Sequence, residues 1–178
     1  MASVKKRCSW AVKDPLLIKY HDEEWGVPLS DDNELFERLS LEIFQAGLSW
    51  RIVLHKRAAL RRAFADFSIE RVAAFTGRDV LRLLRNEDII RNRLKIAATI
   101  ENAKRLKRLI AQHGSFAGYV SGLDGEPEAM YRELKKQFSF MGPKIAESFL
   151  LSIGKLDKVH EPGCWKAVEK TSKTNRMK

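Results

Sequence analysis

The chain has 178 residues, of which 44% are apolar, so it can bury the core of one domain or of two small lobes without disulfide staples. No apolar run approaches membrane-spanning length and no secretory signal is evident, so we expect a cytoplasmic protein without a membrane partner. Lys and Arg number 33 against 23 Asp and Glu, a net charge of +10. This excess favours a polyanionic partner, and nucleic acid is the commonest one. Part of the charge lies in residues 166–178, which we expect to form a mobile basic tail.

Apolar residues recur with a helical period along nearly the whole chain, and no alternating strand pattern is convincing, so the sequence predicts an all-α fold. One helix is expected to follow Asp31, with Glu34 three residues later as in a capping box, and to end at Gly47. Ser49 is expected to cap another helix that begins at Trp50. Further helices are predicted near 58–65, 68–74, 77–85, 93–112, 128–138 and 143–153, with a connecting loop over 114–127. The helix over 93–112 is expected to bury Leu94, Ala97, Ala98, Leu109 and Ile110.

Glu42 is the polar exception on the apolar face of the first of these helices, because it lies seven residues after Leu35 and three after Leu39. Such a carboxylate is either paired with Arg38, one helical turn earlier, or takes part in function. Aromatic side chains are concentrated in the same part of the sequence, at Trp10, Tyr20, Trp25 and Trp50. Rings beside one carboxylate suit an extruded nucleobase, which stacks on the rings while the acid accepts hydrogen bonds from its N–H groups. A tryptophan-rich core is the alternative interpretation.

Both cysteines of the chain have a histidine close by in the sequence. Cys8 is followed by His21, and Cys164 is preceded by His160 in the spacing His-x3-Cys. Two thiolates and two imidazoles are a donor set that Zn²⁺ prefers, and four protein ligands leave no position for water or substrate. Such a site would be structural and would join the N- and C-terminal segments. A disulfide between the two cysteines and a pair of unrelated buried thiols are the alternatives.

A Gly-Pro turn separates two of the predicted helices within the segment FSFMGPKIA at residues 138–146. Pro143 suits the first position of a helix, and the turn would direct backbone N–H groups at an anion. A helix-hairpin-helix motif contacts a DNA phosphate in this way without reading the base sequence. Gly142 and Lys144 are therefore the candidate phosphate-binding residues, although any αα-hairpin can carry such a turn.

Short motifs follow one another along the chain in an order that can be compared with known families. They are CSW at 8–10, DP at 14–15, YHDEEWGVP at 20–28, LE at 41–42, QAGLSW at 45–50, IIRNR at 89–93, KI at 95–96, the hairpin, and the pair His160 and Cys164. Together they resemble the DNA-3-methyladenine glycosylase I family over nearly the whole chain. The resemblance implies an all-helical helix-hairpin-helix fold with a structural zinc ion. It also implies removal of 3-methyladenine from alkylated double-stranded DNA in base-excision repair, with the free base as product, and we expect a monomer.

The resemblance also assigns residues by position. It places the zinc ligands at Cys8, His21, His160 and Cys164, and the base pocket at Glu42, Tyr20 and Trp50, with Trp10 nearby. Asp157 or Glu161 could act as a general base, because related enzymes place an acid in that region.

Three positions depart from the family's pattern. Leu17 stands where a pocket tyrosine is common, and Asp88 replaces a glycine in a loop that could face DNA. Lys144 stands where a threonine is usual, and in endonuclease III-type relatives a lysine here is the Schiff-base nucleophile of a combined glycosylase and lyase. We expect Lys144 to contact phosphate instead, because a nucleophilic lysine has to lose its proton. A bifunctional glycosylase-lyase and a non-catalytic DNA-binding module are the two alternative functions.

Overall fold

The computed structural model describes residues 5–12, 14–156 and 160–167. Within these ranges every regular element is helical, which confirms the predicted fold class. The α-helices include α1 Pro15–Lys19, α2 Asp32–Gln45, α3 Trp50–Ala63, α4 Ile69–Ala73, α5 Gly77–Arg85, α6 Arg93–His113, α7 Phe116–Ser121, α8 Pro127–Gln137 and α9 Pro143–Ser152. A π-helix, Tyr20–Glu24, continues α1, and 3₁₀ turns cover Ser9–Ala11 and Ala65–Phe67. No helix in the described part of the chain is both long and apolar enough to cross a membrane.

Helix α2 lies at the centre of the molecule and packs against α3, α6, α7 and α9. It begins as predicted, because the Asp31 carboxylate accepts hydrogen bonds from the backbone N–H groups of Asn33 and Glu34, both at 2.9 Å. Every residue from 35 to 44 is buried, including Glu42 and the long side chains of Glu37 and Arg38. A helix surrounded in this way has no solvent face on which an ionised side chain could be left unpaired without cost.

Two of the predicted boundaries are wrong. Helix α3 runs without interruption from Trp50 to Ala63, where the sequence had suggested a new helix near residue 58. Its middle contains neither Gly nor Pro, so nothing in the chain breaks it there. The predicted loop over 114–127 contains α7, whose N-cap Ser115 accepts from the Gly118 N–H at 2.8 Å. The burial of Phe116 outweighs the low helix propensity of the nearby glycines.

The buried face of α6 is also rotated from the predicted one. Ala98 and Leu109 are buried as expected, but Leu94 is 69% exposed, Ala97 is exposed and Ile110 is only half-buried. Ile96 and the aliphatic stem of Lys95 point inward instead. The register follows from the lysine, because its ammonium group reaches backbone carbonyls at the end of α2.

Helices α8 and α9 pack against each other and form the predicted helix-hairpin-helix. Gly142 is the N-cap of α9 and Pro143 its first residue, while Phe140 adopts a left-handed conformation with φ of +57°. The Asn102 side chain of α6 holds the turn by accepting from the Ser139 N–H at 2.7 Å and donating to the Ser139 carbonyl at 3.1 Å. The hairpin is therefore anchored to the core rather than free on the surface.

Candidate functional site

The four Cys and His side chains singled out from the sequence converge on one point. One ligand atom from each of Cys8, His21, His160 and Cys164 lies within 4.8 Å of all the others. The His160 Nδ1 is 3.4 Å from the Cys8 Sγ and 3.5 Å from the Cys164 Sγ, which is itself 3.5 Å from the His21 Nε2. Tetrahedral Zn–S and Zn–N bonds of about 2.3 and 2.0 Å put S and N roughly 3.5 Å apart, so these spacings fit a metal ion.

The cluster joins the two ends of the described chain, as predicted. Cys8 precedes the first 3₁₀ turn, His21 lies on the π-helix, and the other two ligands come from residues 160–167. The segments are also linked directly: the Ser9 N–H and hydroxyl donate to the Glu161 carboxylate at 2.6 and 2.7 Å. Both thiols are free and buried, which argues against the disulfide alternative. A metal-binding cluster explains why two histidines share the space with them.

A second layer of hydrogen bonds orients the cluster. The His21 Nδ1 is 2.9 Å from the Asp22 carboxylate, which leaves Nε2 facing the thiol of Cys164. Arg7 donates to the same carboxylate at 2.6 Å, and the indole N–H of Trp165 lies 3.4 Å from it. Burial alone would raise the pKa of Asp22, but its bonds to Arg7 and His21 hold that pKa at about 2. The outer carboxylate is therefore ionised, as a partner of a metal-binding imidazole should be.

The aromatic residues form a continuous row that starts at this cluster. Trp10 meets the His21 ring edge-on at 5.3 Å and Trp25 at 6.0 Å between ring centroids. Trp25 lies 5.9 Å from Tyr20, and Tyr20 stacks on Trp50 at 4.9 Å. Trp10 is 38% exposed, Trp50 is half-buried and Tyr20 is buried, so the row leads from the surface at Trp10 to a buried ring at Tyr20.

Glu42 is fully buried and acts electrostatically on Tyr20, a buried ring of this row. Within the described ranges, neither carboxylate oxygen has a hydrogen-bond partner, and the nearby Tyr20 hydroxyl has none either. Burial raises the pKa of Glu42 to about 8, against the opposing charge of Arg38. A hydrogen bond from the Ser152 hydroxyl would also favour the ionised form of Glu42. In the structure this hydroxyl donates to the Phe149 carbonyl at 2.8 Å. Buried polar groups without partners are uncommon, so Glu42 and Tyr20 are candidate site residues.

The ion pair weighed as a structural explanation for Glu42 does not form. Arg38 donates instead to Glu24, at 3.2 Å, and its guanidinium lies 4.9 Å from the centroid of the Tyr20 ring. Glu24 lies on the π-helix, fourteen residues before Arg38, so no local sequence pattern points to this pairing.

Lys95 is a buried cation that the sequence analysis did not single out as a site residue. Its ammonium donates to the carbonyls of Phe44 at 2.8 Å and Ala46 at 2.5 Å, in the last turn of α2. It thus caps the helix that carries Glu42 and holds the turn that leads to Trp50. Burial lowers the pKa of Lys95. The only sequence signal was its place in the short motif with Ile96.

The hairpin residues lie in a different setting from Glu42. Gly142 caps α9, and the side chain of Lys144 is 93% exposed in the first turn of that helix. Lys144 donates to Glu147 at 2.9 Å, and this contact raises the pKa of the lysine. A protonated, solvated lysine is not prepared to act as a nucleophile.

The remaining positions of interest have clear locations, with one exception. Leu17 is buried in a small apolar cluster with Tyr20 and Leu54, so it forms an apolar wall where a tyrosine would have offered a hydroxyl. Asp88 is exposed, and its backbone carbonyl accepts from Lys56 at 2.8 Å. The carboxylate of Glu161 is engaged by Ser9, as described above. Asp157 lies outside the described residues.

A helix-hairpin-helix anchored to an all-helical core is the fold expected for a DNA glycosylase, and the comparisons with known proteins agree. Residues 10–127 match the family model of the methyladenine glycosylases, and the chain belongs to that family. This confirms the family expected from the motifs.

The chain is 38% identical to DNA-3-methyladenine glycosylase 1 of Escherichia coli (strain K12), over 89% of the chain and 95% of that relative. A crystal structure of 3-methyladenine DNA glycosylase I matches it with a TM-score of 0.80 at 41% identity, covering 90% of this chain and 98% of that one. A Tyr-to-Phe variant of such an enzyme, in complex with 3-methyladenine, matches with a TM-score of 0.78 at 33% identity over 89% and 97%.

Proposed function

We propose that this protein is a monofunctional glycosylase that hydrolyses the bond between 3-methyladenine and deoxyribose in alkylated duplex DNA. The observation that carries the proposal is the buried, unpartnered carboxylate of Glu42 near Tyr20, whose ring stacks on that of Trp50. Family membership and the solved relative that holds 3-methyladenine support the same substrate.

The chemistry of the lesion explains why so few catalytic groups are needed. Methylation at N3 makes the adenine cationic, so the leaving base needs no proton and its glycosidic bond is already weak. The protein has to extrude the base, recognise it and reject normal adenine. Water then attacks the sugar, with no general base assigned, because Glu161 is held by Ser9 at the cluster.

Glu42 supplies the discrimination. A carboxylate in a desolvated site accepts hydrogen bonds from the N–H groups of a cationic purine far more favourably than from those of a neutral one. A raised pKa is consistent with this role, since a positive base placed against the carboxyl group favours its ionised form. Trp50 and Tyr20 supply the stacking surface, and Trp10 extends it toward the cluster.

Zn²⁺ is the ion assigned to Cys8, His21, His160 and Cys164. The donor set is the one zinc prefers, and four protein ligands leave no open position, so the ion supplies structure and no chemistry. Elemental analysis of protein purified without added metal should find one zinc atom per chain.

The phosphate contact is assigned to the hairpin. Gly142 opens α9, so the first N–H groups of that helix are available to a phosphate, and Lys144 adds an exposed positive charge. Such contacts provide affinity for duplex DNA without sequence preference.

The proposal is tested by incubating the purified protein with methylated duplex DNA and separating the released bases by chromatography. Free 3-methyladenine should appear while the DNA strands stay unbroken, and unmethylated duplex of the same sequence should release no adenine. Binding of methylated DNA without base release would favour the non-catalytic alternative, and strand cleavage would favour the lyase.

A further inference from the structure

Arg38 is a buried cation on the same helix as Glu42. It precedes Glu42 by one turn of α2 and therefore shares its face of the helix. Its side chain is 4% exposed, its guanidinium lies over the Tyr20 ring, and its Nη2 donates to Glu24. The other terminal nitrogen, Nη1, is buried and has no hydrogen-bond partner in the described ranges.

Arg38 is also the inner end of a chain of alternating charges. Glu24 accepts from Arg57 at 2.7 Å, Arg57 donates to Glu37 at 2.9 Å, and Glu37 accepts from Arg61 at 2.6 Å. The arginine side chains become steadily more exposed along this chain, from 4% for Arg38 to 24% and 44% for the next two. This series of ion pairs thus connects the buried surroundings of Glu42 to solvent.

Three polar groups act on the Glu42 carboxyl group or respond to it: the guanidinium of Arg38 from the same helix, the Tyr20 hydroxyl from the π-helix and the Ser152 hydroxyl from α9. Arg38 is a cation, and its charge favours the ionised form of Glu42. Arg38 therefore opposes the burial that would otherwise keep Glu42 protonated.

We propose that Arg38 is a positioning residue that favours the carboxylate form of Glu42 and so sets the pH range in which the pocket accepts a cationic base. Glu24 acts in the opposite direction, because it draws the guanidinium toward itself and partly neutralises it. The expected effect on base release rests on the proposed function, whereas the expected effect on the ionisation of Glu42 does not.

The kinetic test is the pH dependence of single-turnover release of 3-methyladenine. The wild-type rate should rise with pH as Glu42 ionises. Arg38→Met should move this rise to higher pH by about one unit or more, because it removes the favourable charge. Arg38→Lys keeps the charge and should restore most of the profile. Arg61→Met breaks the outer ion pair of the chain and serves as the control, with no shift expected.

A second variant and a second measurement keep the test decisive if Arg38→Met folds poorly. Glu24→Gln should shift the profile to lower pH, an opposite displacement that loss of structure would not produce. A ¹³C NMR titration of the Glu42 carboxyl group in the free proteins should show the same two directions without any catalysis. Superimposable titrations of wild type, Arg38→Met and Glu24→Gln, or an equal shift in Arg61→Met, would overturn the inference. Absence of base release by the wild type would contradict the proposed function, while the NMR titration would still test the role of Arg38.

Discussion

The Cys–His cluster and the Glu42 pocket share one structural element but treat their buried polar groups in opposite ways. Tyr20 and His21 are consecutive residues of the π-helix, and they belong to the proposed base pocket and to the cluster respectively. In the cluster the four ligand atoms face one another, and the outer nitrogen of His21 is bonded to Asp22. In the pocket, the Tyr20 hydroxyl and both oxygens of Glu42 have no partner in the described part of the chain.

This difference separates stability from function. Satisfied polar groups hold a structure, whereas unsatisfied buried ones cost free energy and persist where a ligand completes them. Tyr20 and His21 can reach two sites because consecutive side chains of a helix point in different directions. The turn that carries them is π-helical, a form that is frequent at functional positions. The cluster should therefore respond to mutation in stability and the pocket in activity.

Loss of a cluster ligand is expected to have the largest effect. Cys164→Ser should release the metal and lower the free energy of unfolding by on the order of several kcal/mol, since metal binding and folding are coupled. Base excision per folded molecule should change much less. Thermal denaturation measures the stability and elemental analysis measures the metal content. Excision is measured per folded molecule after the fraction of active protein has been titrated. Wild-type protein treated with a chelator is the matched control, and an unchanged melting temperature in the variant would count against a structural metal.

The opposite pattern is expected at the pocket. Glu42→Gln keeps the shape of the side chain but removes its charge, so excision of 3-methyladenine should fall by roughly 100- to 1000-fold. Affinity for unmodified duplex DNA should not change, because phosphate contacts lie elsewhere. Single-turnover kinetics and a DNA-binding titration measure the two effects. A variant that excises at the wild-type rate would reduce Glu42 to a buried structural residue.

The same substitution should increase stability at high pH. The folded-state pKa of Glu42 is about 8, above its ordinary value, so the folded protein holds a proton that the unfolded chain has already lost. Wild-type stability contributed by this group is therefore present at low pH and is lost as pH rises toward 8. Glu42→Gln should be increasingly more stable than wild type over that range, by up to a few kcal/mol. Chemical denaturation of both proteins at pH 6 and pH 9 gives the difference, and an equal difference at both would contradict the raised pKa.

The sequence predicted the features that depend on local pattern. Helical periodicity and caps such as Asp31 placed α2 correctly, and the pairing of each cysteine with a histidine predicted the cluster. It did not predict features that depend on distant partners. Lys95 turns inward because carbonyls at the end of another helix accept its hydrogen bonds, and Arg38 pairs with Glu24 rather than with Glu42, which is nearer in the sequence. Helix α7 was missed because tertiary burial of Phe116 offsets the unfavourable glycines around it.

A smaller effect is expected for the stacking surface. Trp50→Ala should weaken binding of free 3-methyladenine by about 1 to 3 kcal/mol, the usual value of one base–aromatic stack. Trp50→Phe retains a ring and should lose less, which makes it the matched control. Isothermal titration with the free base measures both variants. Equal affinity of the alanine variant and the wild type would show that the base stacks elsewhere.

The smallest effect is expected at the hairpin, and it separates the two reaction types. If Lys144 contacts a phosphate, Lys144→Ala should lower the slope of log affinity against log salt by about one unit and weaken binding modestly. Lys107→Ala, which removes an exposed cation of α6 that is paired with Glu70, is the control for charge alone. Neither wild type nor variant should cleave abasic DNA or form an adduct trapped by borohydride. The exposure of Lys144 and its bond to Glu147 keep its amine protonated, and a Schiff base requires the neutral amine. A trapped species that disappears with Lys144→Ala would show that the protein is a glycosylase-lyase after all.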